Sequence, residues 1–141
     1  MRRQRKKGDY PFETTRNGRT LYNVEILKAH ATHLPSISVK IVKLKDAIAK
    51  GNYYWIDRTG KKFGPHQLLQ NWEAAKKKMQ WRDHVENIEK ANVQTPIFLT
   101  PEYLVFDGMH RLTRAFLEEH THIKAKVFTA LPESAIVEKG N

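Results

Sequence analysis

The stretch from Pro96 to Phe128, "PIFLTPEYLVFDGMHRLTRAFLEEHTHIKAKVF", restricts what this chain can fold into more than any other part of it. "PIFLT" and "YLVF" are apolar runs too short for helices, and Pro101-Glu102 between them reads as a tight turn. Two short strands joined as a hairpin are the expected result. Asp107-Gly108 then makes a second turn, after which Leu112, Ala115 and Phe116 share one face of a helix. Ile123, Ala125 and Val127 alternate with Lys124 and Lys126, the period of a strand with one buried side. Strand, strand, helix and strand in so short a span predict an α+β fold, a small mixed sheet with helices packed on it.

The upstream chain supplies further pieces. In "PSISVKIVKL" Ile37, Val39 and Ile41 alternate with Ser36, Ser38 and Lys40, a strand whose phase shifts at Val42 and Leu44, as at a bulge. "DAIAKGN" reads as a short helical turn with Asp46 as its N-cap and Gly51 as its stop. "YYWIDRTGKKFG" predicts a hairpin turning at Asp57–Gly60. Pro65 opens a predicted helix with Leu68, Trp72, Ala75 and Met79 on one face and Lys76, Lys77 and Lys78 late in its length. A second helix over 82–92 buries Val85 and Ile88. The first twenty residues are charged and aperiodic, which predicts a flexible basic arm over 1–20 and a single domain over 21–141.

Composition excludes several classes. At 141 residues the chain has material for one core. No apolar run approaches the ~18–20 residues of a membrane span, and no apolar stretch follows the basic N-terminus as in a secretory signal. A cytoplasmic protein without a membrane partner is the expectation. The absence of cysteine removes disulfides, thiolate zinc sites and thiol nucleophiles. Net charge is +10, of which five charges fall in Met1–Gly8: Arg2, Arg3, Arg5, Lys6 and Lys7. Lys61-Lys62 and Lys76–Lys78 add further clusters, with Trp72 and Trp81 nearby. Such an excess points to a polyanionic partner, DNA above all.

The helix after Gly108 poses an electrostatic problem. A helix N-terminus carries about half a positive charge and favours acidic neighbours. Here His110 and Arg111 occupy it, and Arg114 follows. The repulsion is relieved if an anion binds there, because the unbonded N–H groups, the dipole and both side chains then converge on it. The chain contains no G-x-x-x-x-G-K-[ST] sequence, so a P-loop is excluded. No metal site is expected from His30-x-x-His33 or His120-x-His122, neither of which has a thiolate companion.

From Val85 to Phe128 the chain resembles the ParB/sulfiredoxin superfamily: a helix, "PI" opening a strand, a hairpin, a G-x-H-R turn, a helix and a closing strand. In that superfamily the turn and helix N-terminus bind nucleotide phosphates. The resemblance thus implies a nucleotide site of Gly108, Met109, His110, Arg111 and Arg114, with Asn87 where relatives present a small polar residue. Sulfiredoxins carry a catalytic cysteine where Met109 stands, so reduction of sulfinic acids is excluded. Complete partition proteins continue into helix-turn-helix and dimerisation domains, which this chain is not expected to contain.

The branch similar to free-serine kinases keeps D-G-x-H-R, matched here by Asp107, Gly108, His110 and Arg111. It implies transfer of phosphate from ATP, with Mg²⁺, to a hydroxyl. Asp107, His110 and Arg111 are then catalytic, and Asp46 is the acidic residue expected after an earlier strand. The positive charge favours a hydroxyl on nucleic acid, such as a hydroxymethylated base in DNA. Its base would be flipped out against Trp55, Trp72, Trp81 or Tyr53-Tyr54. A nucleotide-gated DNA-binding module and a free-serine-type kinase are the alternatives.

Overall fold

In the computed structural model, residues 10–49 and 53–139 are described. The apolar runs of the C-terminal half form three adjacent strands of a four-stranded sheet in the order β3 (Ile37–Lys40), β8 (His122–Val127), β6 (Ile97–Leu99), β7 (Val105–Asp107). β6 and β8 are parallel and the other pairs antiparallel. The parallel pair requires a crossover, which is made by β7 and the helix α6 (Met109–Leu117).

Alternation along the strands explains why the runs are wholly apolar. Ile97, Leu99 and Val105 enter a core with Val39, Ile41, Leu44, Leu112 and Ala115 on one face. Phe98, Phe106 and Phe128 enter a second core on the other face, with Tyr22, Leu27, Ala31 and Ala135. Both faces of the sheet are therefore covered, and every residue of β6 is buried.

The covering layer on the second face consists of α1 (Val24–Ala31) and an antiparallel sheet of β1 (Thr14–Asn17), β2 (Thr20–Asn23) and β9 (Ile136–Glu138). β1 falls inside the expected flexible arm. Thr14 and Thr15 are instead buried, and the Thr15 hydroxyl donates to the Phe106 carbonyl at 2.5 Å. The arm expectation thus fails for Thr14–Arg19. Arg2, Arg3, Arg5, Lys6 and Lys7 lie outside the described residues.

A third core holds Trp55, Phe63, Leu68, Ala75, Trp81, Val85 and Ile88. It joins the hairpin β4 (Trp55–Ile56) and β5 (Lys62–Phe63) to α3 (Pro65–Gln70), α4 (Trp72–Ala75) and α5 (Arg82–Lys90). The hairpin turn is organised by Asp57, whose Oδ1 accepts from the N–H groups of Thr59 (2.8 Å) and Lys61 (2.9 Å). Arg58 forks onto Asp83 of α5 at 3.0 and 2.8 Å, pinning the turn to the helix.

Three local expectations are corrected. The helix expected from Pro65 to Met79 breaks at Asn71, whose extended backbone (φ −155°) starts α4 and whose Oδ1 caps the Ala74 N–H at 3.1 Å. Asparagine favours such caps over helix interiors. Lys76–Lys78 therefore follow a short helix, and Met79 is 60% exposed. The phase shift after Ile41 is a 3-10 turn over Ile41–Leu44 that buries Ile41 and Leu44 three residues apart, with Val42 outside. The helix behind it, α2 (Lys45–Ile48), is preceded by Leu44 at its N-cap, so Asp46 sits inside the first turn and does not cap it.

Candidate functional site

β7 ends at Asp107, and the chain turns into α6 through Gly108 in a left-handed conformation (φ +115°). A Cβ at Gly108 would fall 2.5 Å from Cγ2 of Ile97, so both backbone and space demand glycine. No side chain caps α6 and its first turn holds no acid. The first intrahelical bond runs from the Leu112 N–H to the Gly108 carbonyl at 2.9 Å. Burial of Leu112, Thr113 and Ala115 holds the helix start in place.

This start opens into a cleft of about 1480 Å³. Asp46 from α2, Asn87 from α5 and the whole run Asp107–Arg111 line it. Residues far apart in sequence thus line one concavity. Both carboxylates, Asp46 and Asp107, face the same space as the uncapped helix end.

His110 is held from behind by a residue without any marking motif. His84 of α5 lies with Nε2 3.1 Å from the Ile56 carbonyl and Nδ1 3.0 Å from Nε2 of His110. A carbonyl only accepts, so the His84 proton sits on Nε2. Neutral His84 then accepts at Nδ1 from the His110 Nε2–H, which leaves the lone pair of neutral His110 on its Nδ1. Trp55 stacks on both rings, with its centroid 4.7 Å from that of His110 and 5.1 Å from that of His84. Arg111 commits one N–H to the Pro96 carbonyl at 2.7 Å and also lines the cleft.

Other expected residues fall elsewhere. Arg114 does not line the cleft: it donates to the Glu89 carbonyl and pairs with Glu118 at 3.4 Å, tying α6 to α5. Lys61, Lys62, Lys76, Lys77 and Lys78 also lie outside the cleft lining. Lys62 is nearest in contact, with Nζ 4.4 Å over the ring of Tyr54, which does line it. Lys76 pairs with Glu73 at 3.0 Å, and Lys78 covers the Trp81 ring at 4.1 Å. Trp81 is buried and Trp72 packs on the same core, so neither presents a face to a base.

The remaining electrostatics are structural. Burial raises the Tyr53 phenol above its ordinary pKa, and its hydroxyl donates to the Val105 carbonyl at 2.8 Å. The Arg58 guanidinium holds Asp83 below the usual carboxylate range. Among the described residues no group of three histidine or acidic side chains is placed to hold a metal ion. His30 bonds Ser134, and His120 meets Glu118. No helix among these residues is long and apolar enough to cross a membrane.

Compared with known protein families, curated proteins and solved structures, the chain matches none.

Proposed function

We propose that this protein is a phosphotransferase that moves the γ-phosphate of ATP to a hydroxyl, and that the hydroxyl belongs to nucleic acid, such as a hydroxymethylated base in DNA. One observation carries the reading. The uncapped start of α6, with His110 and Arg111, shares a cleft with two carboxylates drawn from different elements. The D-G-M-H-R turn and the element order around it support placing the chain with the phosphotransferases of the ParB/sulfiredoxin superfamily.

The roles follow from position. The N–H groups of the first turn and the Arg111 fork hold the phosphates, a preorganised set of donors where charge develops. Asp107 accepts the proton of the acceptor hydroxyl as its oxygen bonds to the γ-phosphorus and the bond to ADP breaks. His110, fixed by His84, donates to a phosphate oxygen when protonated at Nδ1. Asp46 is exposed at the cleft, which suits Mg²⁺, an ion usually held by one or two carboxylates and substrate phosphates. Bound Mg²⁺ neutralises the transferring phosphate. Small-molecule pockets run to roughly 300–1,000 Å³. A cleft of about 1480 Å³ has room for a nucleotide and an acceptor larger than an amino acid.

The test supplies γ-labelled ATP with hydroxymethylated DNA, unmodified DNA and free serine. Label on the modified DNA alone is expected. Label on serine moves the acceptor to small molecules. ATP-dependent DNA binding without label on any acceptor favours the gated DNA-binding module.

A further inference from the structure

The exposed large apolar side chains of the described residues are not scattered. They are Val42, Tyr54, Ile56, Met79, Tyr103 and Leu104, and four of these six line the cleft. Tyr54 and Ile56 stand on its β4 side; Tyr103 and Leu104 stand on the turn between β6 and β7. Tyr54 is 49% exposed and Tyr103 43%, although each could have been replaced by a polar residue without loss of core. Apolar surface gathered at the mouth of a cavity marks a ligand contact.

Tyr103 is held there at the expense of its backbone. Its φ of +65° is left-handed, an outlier for a bulky side chain. The turn enforces it. The Tyr103 N–H donates to the Thr100 carbonyl (2.9 Å), the Thr100 N–H to the Leu104 carbonyl (2.8 Å), and the Leu104 N–H to the Thr100 hydroxyl (3.1 Å). Thr100 itself is buried. Strain fixed by a buried framework gathers at functional positions.

The charges around these rings select among occupants. Lys62 covers one face of Tyr54, and Arg16 and Lys43 line the cleft, with Glu13 and Glu102 as the opposing charges beyond Asp46 and Asp107. The exposed rings suit an occupant with flat apolar faces. Its negative charge follows from the phosphate end at α6 on the phosphotransfer reading, since the lining itself mixes four carboxylates with Arg16, Lys43 and Arg111. A free amino acid lacks the faces and an apolar peptide lacks the charge. We infer that Tyr54 and Tyr103 are stacking platforms for an unstacked nucleobase of a single-stranded nucleic acid segment, whose backbone phosphates meet Lys62, Lys43 and Arg16. This deepens the phosphotransfer reading, and rests on it in taking that base as the bearer of the acceptor hydroxyl. A base within a duplex must first leave its stack, so single strands bind better.

Anisotropy of a labelled oligonucleotide, without ATP, tests the platforms on the full chain. The probes are a single strand, the same strand with abasic sites, its duplex and the free mononucleotide. The strand is expected to bind about tenfold tighter than its abasic counterpart, which carries the same charge. Tyr54→Ala and Tyr103→Ala should each remove most of that difference and leave abasic binding unchanged, while Tyr→Phe at either position preserves it. Equal affinity of the wild-type protein for normal and abasic strands overturns the inference without any variant. So does a mononucleotide that competes as well as the strand, or a preference for duplex. If label transfer fails while the strand still outbinds its abasic form, the platforms stand and only the phosphotransfer reading falls.

Discussion

Two helix starts in this molecule obey opposite rules. α1 begins with Asn23, whose Oδ1 accepts from the Glu25 N–H at 2.9 Å; Glu25 sits in its first turn, and Lys28 and His30 in its last. Every choice there complements the dipole. α6 begins with a glycine that has no side chain to cap with, has no acid in its first turn and carries His110 and Arg111 instead. The two helices are nearly the same length, eight and nine residues, so length does not explain the contrast. α1 is built for its own stability. α6 takes its stability from buried Leu112, Thr113 and Ala115, and no side chain caps its positive end.

Substitutions within the D-G-M-H-R turn are expected to give the largest effects. Arg111→Ala and His110→Ala should lower phosphate transfer by on the order of 10²–10³-fold, as for loss of one preorganised donor. Melting temperature should change little. Label-transfer rates beside thermal melts check this, and unchanged turnover in both variants would sink the assignment of the site. Asp107→Asn should lower turnover by roughly 10²–10⁴-fold with nucleotide affinity intact, as for a lost general base. Comparable rates for Asn and Asp would reduce residue 107 to a structural role.

The comparison is sharpened by a residue behind the site. His84→Ala should reduce kcat by roughly 10–100-fold through loss of His110 orientation, with KM nearly constant. His84→Asn keeps an acceptor for the His110 Nε2–H and should recover most of the loss. Equal damage in both would mean that His84 only fills space. Nitrogen-15 spectra of the imidazoles supply a reading independent of activity: His110 should hold its proton on Nε2 in the wild type and lose that preference in His84→Ala.

Stability should separate the two helix starts in the other direction. Asn23→Ala should cost about 1 kcal/mol, as caps do, and leave turnover alone. Gly108→Ala should cost more, roughly 1–2 kcal/mol for the left-handed backbone plus about 1–3 for crowding Ile97. It should also abolish transfer. Denaturant titration and the label assay together decide.

The smallest effect concerns acid. The Asp83 pKa is depressed in the folded state by Arg58, so its contribution is present above the ordinary carboxylate pKa and lost as pH falls through the depressed value. Asp83→Asn should therefore narrow the gap in melting temperature between neutral and strongly acidic solution. The pair is exposed, and the change should be slight.

Local signals made part of this structure legible in the sequence. The hairpin β6–β7, α6 and β8 follow from apolar runs, a turn dipeptide and a change of period, all of which act within a few residues. Gly108–Arg111 could be singled out because cations at a helix start contradict local electrostatics. β1 and β2 gave no such signal. Their threonines and asparagines look like a loop until Tyr22 meets Phe106 edge-on, with ring centroids 4.8 Å apart, and Thr15 bonds its carbonyl. His84 was equally silent, since its meaning lies in Ile56 and in His110, 26 residues away. The break at Asn71 was legible in principle, because asparagine caps helices. The helical spacing of Leu68, Trp72 and Ala75 across it concealed the break.

The contact between Gly108 and Ile97 also limits how this turn can drift. A side chain at 108 would need a tolerated left-handed backbone and, at the same time, a smaller partner at 97. Neither substitution helps alone. Single-step variation is therefore blocked at this pair. In a distant homologue with little else in common, a glycine after the hairpin, facing a β-branched residue at the start of the neighbouring strand, is the trait that would persist.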